Sequence, residues 1–144
     1  MTSRKPSPFR PNGHPAPTLP TISDAEWVVM QEFWQRGDST AADIVTALGG
    51  RMHWKPRTVQ SLINRLVGKG ALGFTKIGRE HLYQPLVAES DCVMEASRKF
   101  VDRIFRGRLA PLLACFVESG EVSTQDIAKL REILESSKKE AKMK

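Results

Sequence analysis

Between positions 51 and 79 the chain carries seven basic residues, Arg51, Lys55, Arg57, Arg65, Lys69, Lys76 and Arg79, and no acidic one. A one-signed stretch of this density, with Trp54 embedded in it, suits a polyanion, and nucleic acid is the first candidate. A solvated basic face without a partner fits the charge equally well, so residue type and spacing must decide. Val59, Leu62, Ile63 and Leu66 recur at the helical period, which leaves Arg57, Thr58, Gln60, Ser61, Asn64 and Arg65 on the opposite side. An ordinary solvated face mixes in glutamates, whereas this one holds only hydrogen-bonding groups and positive charge. Arginine suits guanine, glutamine and asparagine suit adenine, and threonine and serine suit phosphate or a thymine methyl. The pattern points to a recognition helix.

Other chemistry finds little support. His14, His53 and His81 fall in an arm, a loop and a strand, with no metal-ligand spacing, so no metal site is expected. No glycine-rich phosphate loop, nucleophile elbow or carboxylate pair in an apolar setting occurs, so neither an enzyme nor a cofactor is expected.

The elements that must position the basic face can be read from caps and period. Ser23 with Glu26 forms a capping box before a helix that starts at Asp24, and Ile22 is placed to staple onto Trp27. Trp27, Met30, Phe33 and Trp34 give that helix its apolar side, with the aromatics read as core, and Gly37 stops it. Thr40 with Asp43 opens a second helix with Ala41, Ile44, Val45 and Leu48, expected to end after about two turns at Gly49 and Gly50. Pro56 suits the first position of the third helix, which Gly70 ends after Lys69. The period then becomes alternating through Leu72 and Phe74 to Ile77, turns at Gly78-Arg79 and returns through Leu82 and Tyr83 to Pro85. That is a hairpin with Lys76 and Arg79 near its tip. Three helices, the last of them basic, followed by a basic hairpin spell a winged helix-turn-helix over residues 22–87.

From residue 88 the pattern is helical. Cys92, Ala96, Phe100 and Ile104 are four apart, with Val93, Val101 and Phe105 widening the stripe to Gly107. Leu109 to Val117, including Leu112, Leu113 and Phe116, forms a second segment. A third opens at Ser123 with Asp126 and carries Ile127, Leu130, Ile133 and Leu134. Three short helices cannot enclose that much aliphatic surface alone. A second copy of the chain is the economical partner, because a two-fold pair spaces two recognition helices about one DNA turn apart. Residues 88–137 are therefore assigned to a helical dimerisation domain using Val93, Phe100, Ile104, Leu112, Leu113, Phe116, Ile127, Leu130 and Leu134, and residues 138–144 to a charged tail.

Length and composition agree. The 144 residues are 40% hydrophobic and 26% charged with a net charge of +6, which suits one or two small globular units and contains no apolar run that could span a membrane. Six of the nine prolines lie in residues 1–20, so residues 1–21 read as a basic, Pro-rich disordered arm. That arm has no apolar run of signal-peptide length, and two cysteines, Cys92 and Cys115, are too few for a disulfide scaffold. A cytoplasmic, mainly α protein follows.

The ordered set Ser23-Asp24-Ala25-Glu26-Trp27, Trp54-Lys55-Pro56-Arg57-Thr58-Val59, Asn64-Arg65-Leu66, Lys69-Gly70 and Tyr83-Gln84-Pro85-Leu86-Val87 resembles the BlaI/MecI penicillinase-repressor family over about residues 22–136. The resemblance implies a homodimeric transcriptional repressor that occupies an inverted-repeat promoter operator of double-stranded DNA, of the TACA/TGTA kind. It assigns Arg57, Thr58, Ser61 and Arg65 to the recognition helix and Lys76 and Arg79 to the wing. Lys55 stands where many members have serine. The family's regulatory protease cuts between an asparagine and a phenylalanine, and the matching step is Lys99-Phe100. The paired Cys-x-Cys motifs of a copper-responsive branch have no counterpart here. Two alternatives remain at this stage: a protein-interaction adaptor that docks the same winged scaffold on an acidic protein surface, and a regulator sensing a small molecule directly.

Overall fold

The computed structural model of the chain describes residues 19–143, and side chains through residue 140. The arm read over residues 1–21 thus lies outside the described residues except for its last three. Eight elements follow in order: α1 (Asp24–Arg36), α2 (Ala41–Met52), α3 (Pro56–Lys69), β1 (Leu72–Ile77), β2 (Glu80–Pro85), α4 (Glu89–Phe105), α5 (Leu109–Glu118) and α6 (Thr124–Met143). Residues up to Ala96 form one compact unit and those from Ser97 a second, so the division falls inside α4 rather than ahead of it.

In the first unit both expected capping boxes close. Ser23 Oγ accepts from Glu26 N while Glu26 Oε1 accepts from Ser23 N, and Thr40 and Asp43 repeat the exchange. Val29, Met30, Phe33, Ile44, Leu48, Val59, Ile63, Leu66 and Leu72 are essentially inaccessible and form one core beneath the three helices and the hairpin. Burial of side chains this size contributes about 1.5–3 kcal/mol each. Of the α1 aromatics only Phe33 is enclosed. Trp27 and Trp34 are half-buried at the rim, edge to face with centroids 5.5 Å apart, and Trp34 Nε1 donates to Val87 O (3.0 Å), which pins the chain as it leaves the hairpin.

The second helix departs from expectation. It does not stop at Gly49 and Gly50 but runs 12 residues to Met52, and His53 in the left-handed region (φ 56°) ends it. Both glycines are exposed with open space around them, so the helix loses no packing there. Beyond them Met52 packs on the core and Arg51 reaches Glu32 at 3.6 Å, and these contacts offset a glycine cost of about 1 kcal/mol each.

Strands β1 and β2 pair antiparallel around a two-residue turn, with Phe74 opposite Tyr83 and Lys76 opposite His81. Ser39 exchanges both backbone hydrogen bonds with Tyr83 (3.0 and 2.8 Å), a single-residue bridge that anchors the hairpin to the segment between α1 and α2. Three helices with this hairpin are a winged helix-turn-helix.

In the second unit the helices are not all short, since α6 has 20 residues and continues to Met143 through the segment read as a charged tail. The starts and stops follow the sequence: Gly107 (φ 81°) lies just past α4, and Ser123 Oγ accepts from Asp126 N ahead of α6. No side chain from residue 97 to 140 is buried. Among the described residues no helix is long and apolar enough to cross a membrane.

Candidate nucleic-acid interface

Helix α3 presents the predicted face. Its apolar side, Val59, Leu62, Ile63 and Leu66, is buried, while Arg57, Thr58, Ser61, Asn64 and Arg65 are exposed and Gln60 is half-exposed. Lys55 occupies the N-cap without a side-chain bond. Its carbonyl accepts from Thr58 N and Val59 N, so the ammonium is left to solvent at a helix start that contains no acid. The positive end of the helix dipole and the Lys55 charge add at that point, an arrangement that favours phosphate.

The structure divides the seven cations of the basic stretch into two groups. Arg51 lies 3.6 Å from Glu32, which also binds Arg36, and Lys69 is bound to Glu26 (2.5 Å) and to the carbonyl of Thr21 (2.6 Å). Among the described residues Lys55, Arg57, Arg65, Lys76 and Arg79 have no acidic partner, and all five are exposed. Lys69 therefore serves as a tie between the end of α3 and the start of α1. Glu26 is 1% exposed. Burial pushes its carboxyl up, but the Lys69 ammonium and the two bonds with Ser23 outweigh that and hold it below the ordinary carboxylate value.

The hairpin is joined to α3 by side chains. Gln60 Nε2 donates to Asn64 Oδ1 (3.0 Å) and to Tyr83 Oη (3.3 Å). Phe74, His81 and Tyr83 cluster with ring centroids 4.4 to 5.9 Å apart, and with Gln60, Asn64 and Val67 they line a cleft of about 370 Å³. By the strand register Lys76 stands on the same side of the hairpin as these rings. Arg79, at the tip, borders a second recess of about 270 Å³ with Thr40 and Gln60. Arg79 of the wing and Gln60 of α3 thus border the same recess, beside Glu80. Sequence reasoning missed Tyr83 and His81 as parts of this surface, and it counted Arg51 and Lys69 in the basic stretch without assigning them to DNA binding. The one available signal was the position of Tyr83, which faces Phe74 across the hairpin.

The family model described as penicillinase repressor matches residues 22–136. The chain belongs to the penicillinase repressor family. It is 35% identical over 124 residues to the penicillinase repressor of Bacillus licheniformis, covering 86% of this chain and 97% of that protein. It is 34% identical over 113 residues to the methicillin resistance regulatory protein MecI of Staphylococcus aureus (strain N315), covering 78% and 92%. The solved structure of Bacillus licheniformis BlaI, in its monomeric form with the blaP half-operator, superposes with a TM-score of 0.46 at 38% identity, over 51% of this chain and 90% of that one. In this penicillinase repressor family member the N-cap of the third helix is a cation, Lys55.

The remaining predicted residues lie on the C-terminal helices. Val93, Phe100, Ile104, Leu113, Phe116, Ile127 and Leu134 are between 37% and 60% exposed, and Leu112 and Leu130 are half-buried. Lys99 and Phe100 sit within α4, so the peptide bond between them is in helical backbone. Cys92 is buried in α4 and Cys115 is exposed in α5. Burial, with a smaller contribution from Asp91, raises the Cys92 thiol to about 11, so it is protonated at neutral pH.

Proposed function

We propose that the protein is a cytoplasmic, homodimeric transcriptional repressor that occupies an inverted-repeat operator. In this proposal α3 lies in the major groove and the hairpin tip holds the adjacent backbone. The observation that carries it is the set of five unpaired cations around an acid-free face of amides and hydroxyls. Lys55, Lys76 and Arg79 neutralise phosphates and fix the register. Arg57 and Arg65 grip guanine edges or phosphates, Gln60 and Asn64 read adenine, and Thr58 and Ser61 contact phosphate or a thymine methyl. Family membership supports the same role, as relatives bear the names penicillinase repressor and methicillin resistance regulatory protein. The half-operator held by the BlaI chain is a site of the kind proposed here.

Self-association rests on the second unit. Helices whose large apolar residues remain exposed and which enclose nothing from residue 97 onward are unstable by themselves, and a two-fold partner covers such a surface on both copies at once. Repression then requires no chemistry, only occupancy of the promoter.

Light scattering after size exclusion tests both halves, on the protein alone and with a duplex of about 30 base pairs carrying a TACA/TGTA inverted repeat or its scramble. The expected result is a dimer that shifts the repeat and spares the scramble, and Phe100→Asp should give monomers. A monomer that ignores both duplexes at low salt would refute the proposal.

A further inference from the structure

Three of the residues that line the cleft of about 370 Å³, Gln60, His81 and Tyr83, also line the recess of about 270 Å³ that Arg79 borders. The two depressions thus share a wall between α3 and the hairpin. His81 is the imidazole in that wall, and it is half-exposed.

Its ring is held on one side only. Phe74 lies against it with centroids 4.4 Å apart, and the hydroxyl of Tyr83, itself 5% exposed, stands 3.5 Å from His81 Nδ1. A hydroxyl can donate to a neutral ring nitrogen or accept from a protonated one, so this contact tolerates either charge state. His81 Nε2 has no partner among the described residues. The charged neighbours belong to the hairpin. Lys76 stands directly opposite in the strand register and, like Arg79 at the tip, opposes a positive ring, while the adjacent Glu80 favours one. From α3 the wall receives the neutral amides of Gln60 and Asn64. From the start of α2 it receives Thr40 and two alanines, with the Asp43 carboxylate turned back onto Thr40 N (3.0 Å).

We propose that His81 is a further DNA-backbone contact, one that holds a phosphate as the imidazolium and so takes up a proton when the operator binds. With α3 in the major groove and the hairpin tip on the adjacent backbone, the strand between them passes this wall. Once Lys76 and Arg79 are paired with phosphates they no longer oppose a charge on the ring, and a phosphate beside Nε2 favours it. Imidazole changes charge between pH 5 and 8. Binding and protonation therefore support each other: the added affinity is complete below the pH at which the free ring gains its proton, and it is lost as pH rises past the corresponding value in the complex. This deepens the DNA-recognition proposal and depends on it.

The test is fluorescence anisotropy with a labelled operator duplex at pH 6 and pH 8, each across a salt series, for the wild type, His81→Asn, His81→Lys and His53→Asn. Wild type is expected to bind about tenfold or more tighter at pH 6. The magnitude of its salt slope should also be larger there by about 2, one added cation per chain of a dimer. His81→Asn should lose both differences. His81→Lys, with a permanent charge, should keep the larger slope at both pH values, which a merely structural role for the ring would not produce. His53→Asn, at an exposed position whose left-handed backbone asparagine accepts, should behave as wild type. A wild type indifferent to pH, a pH response that survives in His81→Asn, or one abolished in His53→Asn would overturn the proposal. Failure of the wild type to bind any duplex at low salt and either pH would remove DNA recognition itself, and this inference with it.

Discussion

The division of cations into paired and unpaired sets makes a quantitative prediction for salt dependence. Lys55, Arg57, Arg65, Lys76 and Arg79 are unpaired among the described residues, five per chain and ten in a two-fold dimer. If each displaces a condensed counterion, the plot of log affinity against log salt has a slope of about −9, and affinity falls about 10⁵-fold between 50 and 200 mM salt. Lys76→Ala removes one contact per chain, two per dimer, and should reduce the slope's magnitude by about 2. Removing Lys69 should not change the slope, because its ammonium is committed to Glu26 and Thr21. The clean comparison is the double variant Glu26→Gln/Lys69→Met, which leaves no stranded buried charge. Fluorescence anisotropy with a labelled operator duplex across the salt series measures each slope. A double variant that loses as much slope as Lys76→Ala, or a Lys76→Ala protein with an unaltered slope, would refute the assignment.

Two further outcomes follow from the titratable groups. Because the fold lowers the Glu26 carboxyl, its stabilisation is complete above an unfolded-state value of about 4.3 and is lost as pH falls through the folded value. Urea unfolding should therefore show Glu26→Gln about 1–2 kcal/mol less stable than wild type at pH 7, discounted for the partial exposure of Lys69, with the gap closing in acid. Cys92, buried and raised to about 11, should resist iodoacetamide at pH 7.5 until denaturant is added, and mass spectrometry of its peptide after native labelling reads this directly.

Much of the first unit was legible because its signals are local. The capping boxes at Ser23 and Thr40, Pro56 at the start of α3 and the glycine after Lys69 each act within one turn, and the structure uses all of them. The Gly49-Gly50 stop misled because a glycine pair ends a helix only when nothing beyond it holds, and here Met52 and Arg51 are held by the core and by Glu32 of α1. The Pro-rich arm falls outside the described residues through position 18. In the C-terminal helices the apolar periodicity marked residues expected to need cover, and the structure leaves most of those side chains exposed, with Leu112 and Leu130 half-buried.

The sequence by itself determined the order of elements, the apolar and polar sides of α3, the tip of the hairpin and the family, because each depends on neighbours a few positions apart or on an ordered set of residues. Tertiary structure alone decided which acids Arg51 and Lys69 pair with. Glu26 and Lys69 are 43 residues apart, and only the packing of α1 against α3 brings them to 2.5 Å. It also decided the partner of Gln60, since Tyr83 lies 23 residues away across the hairpin. A hydrogen bond or an ion pair depends on distances of a few ångströms, and over such separations along the chain only the packed core sets them.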